Sequence, residues 1–160
     1  MQQIASASAI RDLVVSLRPQ NPEGVQEQAA GALANLTFNN EENKVKIAAA
    51  GAIPPLVALL RPQSSAGVQV QAARALASLA VNADNKIKIA AAGAIPPLVA
   101  LLGRQSSPGV QEHAAWALNN LSANADNEVK IVAAGAIPSL VALLGPQSSA
   151  GVQEQAAWVL

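Results

Sequence analysis

Apolar runs alternate with short polar segments along this chain, and one run returns almost unchanged: Gly51 to Leu60, Gly93 to Leu102 and Gly135 to Leu144. Its leading glycines stand 42 residues apart. That is the period of a helical solenoid, whose units cannot bury their apolar faces alone. Within one period the pattern predicts three helices. Asn82-Ala83-Asp84-Asn85 supplies capping side chains before a short first helix, Lys86 to Ala92, and Gly93 stops it where a left-handed residue is needed. Pro96 and Pro97 then occupy a first turn, where a missing N–H is tolerated, and open a nearly all-apolar second helix that runs to Leu102 and ends at Gly103. After the loop Gln105 to Gly109, an N-cap at Ser107 and a proline at the first helical position begin a third helix, about Pro108 to Ser122.

The same cap recurs as Asn21-Pro22, Ser65-Ala66 and Ser149-Ala150. The expected architecture is therefore all-α, a single domain: a partial repeat 1–42, repeats 43–84 and 85–126, and a truncated repeat 127–160. Its core is expected from Ile53, Leu56, Leu60, Ile95, Leu98 and Leu102 of the second helices, with Leu33, Leu36, Leu76, Leu79, Leu118 and Leu121 of the third. Thr37 to Asn43 carries one residue more than its counterpart, an insertion that a loop absorbs at little cost.

Composition narrows the function. Hydrophobic residues make up 51% and charged residues 12% of the 160, with much of the apolar share in alanine, which suits close helix packing. Ten acidic and ten basic residues cancel, with no Lys/Arg runs and no Phe/Tyr platforms, so nucleic acid is not an expected partner. The longest apolar stretch, Ile47 to Leu60, falls short of the roughly 20 residues a bilayer requires and is broken by Pro54-Pro55, so no membrane role is expected. The first residues lack a basic segment followed by an apolar one, so no signal peptide is expected. Together with the absence of cysteine, this points to the cytoplasm or nucleus. No enzyme and no cofactor is expected. His113 stands alone and reads as solvent-facing or groove-edge, Asp84 and Asp126 recur as caps, and Lys44, Lys46, Lys86, Lys88 and Lys130 read as an outer soluble ridge.

The three-helix period, the A-A-G-A-I-P-P-L-V-x-L-L run, the G-V-Q-E-x-A-A-x-A-L-x-N-L segment and the N-x-D-N-K start together resemble armadillo repeats, nearest in flavour to plant and algal ones. The resemblance spans nearly the whole chain. It implies a right-handed superhelix whose third helices line a groove for an extended peptide. Importin-alpha-like members place there a tryptophan and, one turn later, an asparagine; Trp116 and Asn120 match both positions. An Asn amide offers a donor and an acceptor to one peptide unit, and residues four apart share a helix face.

The ladder so implied is incomplete. Its tryptophan row reads Gly31, Arg74, Trp116, Trp158, and its asparagine row Asn35, Ser78, Asn120. One turn ahead lie Glu27, Val70, Glu112 and Glu154, which would favour a cationic ligand if they face the groove. Two functions remain open: a peptide-binding scaffold, or a truncated or engineered building block whose main property is folding and self-association. Repeats this alike fit a recent amplification or a consensus sequence. Neither end carries a polar capping helix, so self-association through apolar end faces is expected.

Overall fold

The computed structural model describes residues 5–160, which form eleven α-helices and no strand. First helices are α3 (Glu41–Ala49), α6 (Ala83–Ala91) and α9 (Ala125–Ala133). Second helices are α1 (Ala7–Ser16), α4 (Ile53–Ala58), α7 (Ile95–Ala100) and α10 (Ala136–Leu143). Third helices are α2 (Glu23–Thr37), α5 (Ala66–Leu79), α8 (Pro108–Leu121) and α11 (Ala150–Val159). The third helices stack in chain order, α2 on α5, α5 on α8 and α8 on α11, and each second helix packs on its own third helix.

The bends follow from glycine. Gly51, Gly93 and Gly135 have φ of +84°, +84° and +85°, a left-handed conformation that sharply joins each first helix to its second. Serine starts three of the third helices: Ser65, Ser107 and Ser149 accept from the amides of Val68, Val110 and Val152. Asn21 does not cap α2 as expected. Pro22 takes that position without a side-chain bond, and the Asn21 amide donates instead to the carbonyl of Val15, closing the end of α1. The first helices also begin earlier than Lys86-type starts suggest. Asn40, Asn82 and Asn124 are their caps, and Asp84 and Asp126 lie in the first turn, where a carboxylate meets the positive end of the helix dipole. The second helices α4 and α7 end at Ala58 and Ala100, before Gly103, and Arg61 fills the glycine's place in the preceding repeat; no left-handed residue is needed there. The inserted residue is absorbed at Asn39, whose φ of 52° is tolerated by asparagine better than by most side chains.

Eleven of the twelve expected core residues are buried; Leu36 is half-buried against the same cluster. Ile47, Ile89 and Ile131 of the first helices complete it. Two rows of side-chain amides tie the helices together, one within each repeat and one between repeats. Gln26, Gln69, Gln111 and Gln153 donate through Nε2 to the carbonyls of Arg18, Arg61, Gly103 and Gly145, at 2.9, 2.9, 2.9 and 2.8 Å, satisfying groups left open after each second helix. Asn85 and Asn127 donate to Lys44 and Lys86 carbonyls one repeat back, at 3.3 and 3.1 Å. The lysines do not form one outer ridge. Lys44 is buried to 6% exposure with its ammonium 3.6 Å from Glu41, and Lys86 donates to the carbonyls of Ala80 and Val81 after α5. Burial lowers the Lys86 pKa, Glu41 partly restores it, and Lys44 lowers it further.

Leu98 is wholly buried, so Leu98→Ala should destabilise the chain by about 2–5 kcal/mol, measured by urea denaturation. Val129, 69% exposed, should lose less than about 0.5 kcal/mol on the same change. Equal losses at the two sites would contradict this core.

Candidate functional site

Position four apart on each third helix forms a row that crosses α2, α5, α8 and α11, and the structure shows what each row member touches. Trp116 is half-buried against the core, and its ring and that of His113 stand in a T-shaped arrangement with centroids 6.1 Å apart and planes at 68°. His113 Nδ1 lies 2.8 Å from the Gly109 carbonyl, which puts the proton of the neutral ring on that nitrogen. One turn on, Asn120 is half-buried and donates through Nδ2 to the Ala77 carbonyl of α5 at 2.8 Å. Its Oδ1 is left to accept. Trp158 is 69% exposed.

Elsewhere the rows are taken up by packing. Ser78 is buried, and its hydroxyl shares a 2.8 Å hydrogen bond with that of Thr37. The half-buried Arg74 donates through Nη2 to Oδ1 of the exposed Asn35 and through Nη1 to Gln71 Oε1 at 2.9 Å. Gln71 in turn lies across Gly31, where a Cβ would come 3.2 Å from its Oε1. Sequence reading missed Gln71, although its counterpart in the next repeat is His113, the residue against Trp116.

Two members of the glutamate row lean on the repeat that follows. Glu112 folds against Gly151 in the first turn of α11, where an added Cβ would sit 2.8 Å from its Oε1, and Glu27 does the same against Gly67 in the first turn of α5 at 2.7 Å. A carboxylate beside the first turn of a helix lies near the positive end of the helix dipole. Where the row holds Val70, the facing Gly109 meets only a methyl at 3.6 Å.

At the loop edge, an open cleft of about 820 Å³ runs between Arg104, Ser106 and Gln111 on one side and Ala142, Gln147 and Ser149 on the other. It is a furrow between successive repeats. Among the described residues, no group of three His, Asp or Glu side chains is placed to hold a metal ion, and no helix is long and apolar enough to cross a membrane.

Three-helix units stacked at a constant period, with a third-helix row carrying Trp116 and Asn120, define a helical repeat solenoid. The chain belongs to the armadillo repeat family: the Armadillo/beta-catenin-like repeat matches residues 40–81, 82–123 and 124–160, each window opening on an asparagine N-cap. No curated protein matches it. Among solved structures, an engineered protein from the Northeast Structural Genomics Consortium is similar at 37% identity and a TM-score of 0.86, over 97% of this chain and 67% of that one. A designed armadillo repeat protein is 36% identical with a TM-score of 0.87, over 95% of this chain and 63% of the other. Another, solved in complex with the peptide (KR)4, is 36% identical with a TM-score of 0.86 over 95% and 63% of the two chains. This chain thus spans about two thirds of the length of these structures or less.

Gly151→Ala should stabilise the chain less than Gly24→Ala does, because the flexible end of Glu112 has to move aside, whereas Gly24→Ala meets nothing within 4 Å and should stabilise α2 by up to about 1 kcal/mol through helix propensity. Thermal melts of the two variants check this. An upward shift at Gly151 as large as that at Gly24 would show that Glu112 is not seated on Gly151.

Proposed function

We propose that the chain is a non-catalytic scaffold that holds an extended peptide along the third-helix row, with Trp116, Asn120 and Trp158 as its principal contacts and Asn35, Arg74, Ser78 and Glu112 shaping the row around them. The observation that carries this reading is the Trp116–Asn120 pair on one face of α8, with one amide hydrogen bond spent on Ala77 and an acceptor left for a peptide N–H. Support comes from the designed armadillo protein that was solved with a bound peptide. The compartment in keeping with a cysteine-free chain is the cytoplasm or nucleus.

Asn120→Ala should weaken binding about five- to tenfold for many peptide sequences alike, the equivalent of about 1 kcal/mol for one main-chain hydrogen bond. Trp116→Ala should change which sequences are preferred. Titration calorimetry against members of an extended-peptide library measures both, and an Asn120→Ala loss confined to a few sequences would remove the main-chain role.

A specific observation also favours self-association. Ile137, Val141 and Leu144 on and after α10 are 45%, 54% and 42% exposed, while their counterparts Ile95, Val99 and Leu102 are 3%, 8% and 2% exposed beneath the following repeat. A second copy that presents its α1–α2 face would bury them as a following repeat does. Light scattering should then show mass rising with concentration and a monomer for Val141→Lys with Leu144→Glu. An unmodified chain that stays monomeric at millimolar concentration would dismiss this interface.

A further inference from the structure

The row that the peptide reading uses is not uniform in charge, and the difference is centred on one residue. Arg74 occupies the tryptophan position of α5, is half-buried, and is held by two neutral amide oxygens, Asn35 Oδ1 across the junction and Gln71 Oε1 on its own helix. Among the described residues the ion pairs are Lys44–Glu41 and Lys46–Glu42, so the guanidinium has no carboxylate at ion-pair distance. The glutamate one turn ahead in other repeats is replaced here by Val70, and the neighbouring Glu27 is turned onto Gly67. Two of the five guanidinium N–H groups are occupied, which leaves three to donate. A fixed cation with spare donors and no counter-charge is built to take a carboxylate, the acceptor that gains most from a charge-assisted bond.

We infer that Arg74 makes this groove select a peptide with an acidic side chain opposite α5, and that a basic peptide such as the one bound by the designed relative is disfavoured here. The inference rests on the third-helix row being the binding face. Asn35 and Gln71 act as positioning residues: they fix the guanidinium in the row and keep it from swinging out to solvent. Successive residues of an extended peptide point to opposite sides, so in an alternating sequence every acidic side chain faces the same way, and each register that turns this set toward the row brings one of them to Arg74.

Three eight-residue peptides test it by fluorescence anisotropy at low salt: (SE)4, its neutral isostere (SQ)4, and (KR)4. The chain should bind (SE)4 about tenfold tighter than (SQ)4 and bind (KR)4 weakest, with the (SE)4 advantage shrinking as salt is raised. Arg74→Gln should bring (SE)4 down to the level of (SQ)4, and Arg74→Lys should keep part of the preference, both with melting curves like the parent's. Equal binding of (SE)4 and (SQ)4, or a preference that survives Arg74→Gln, overturns the role of Arg74 while leaving the groove intact. Failure of all three peptides to bind at millimolar concentration overturns both the groove reading and this inference.

Discussion

Close approach of the third helices is the constraint on which everything else in this molecule depends. Alanines carry it: Ala29, Ala30, Ala72, Ala73, Ala75, Ala77, Ala114, Ala115 and Ala117 are buried along α2, α5 and α8, so neighbouring backbones meet with little side chain between them. Short side chains bring helix surfaces near enough for groups on one to reach the main chain of the next, as Asn120 reaches Ala77. Larger leucines on the second helices fill the other side of the layer, and isoleucines of the first helices close it. No unit has this core by itself; each inherits half of it from its neighbour.

Packing and recognition therefore compete for the same positions. A third-helix residue one turn away from the junction is within reach of the next helix as well as of a ligand, and small sequence changes decide which it serves. Serine at position 78 sinks into the junction with Thr37, whereas asparagine at 120 spends one donor on packing and keeps an acceptor. Glutamate at 112 leans on the helix that follows, in the space left by the missing Cβ of Gly151. Arginine at 74 reaches across but carries more donors than packing uses.

How much of this was legible in the chain depends on the range of the interaction. The left-handed glycines, the serine caps, the prolines of the second helices and the leucine core were all readable, because each rests on a local conformational rule repeated at a fixed period. The role of Glu112 was not, since the glycine that receives it lies in the next repeat and both look ordinary in sequence. Lys44 read as a surface lysine for a similar reason: its burial is set by how the first helices pack, while its own neighbours in the chain are polar. The glutamine row could have been noticed. A polar residue fixed at the fourth position of every third helix, inside an apolar run, signals a buried partner, here a carbonyl at the end of the preceding helix.

A chain of look-alike units has no inherent way to count, and an apolar face fitted to one neighbour fits any other copy of it. Mispairing between alike repeats is the characteristic hazard of such arrays. The α2–α5 junction differs from the others in its polar ties: Thr37 with Ser78, Asn35 with Arg74, and Glu23 with the amide of Ser65. At the α5–α8 junction Asn120 bonds only to a main-chain oxygen, which every repeat offers. Side-chain pairs that must match on both sides are an address, telling α5 which helix precedes it. The residues that break the repeat's regularity thus give the array a fixed point from which its order can be read.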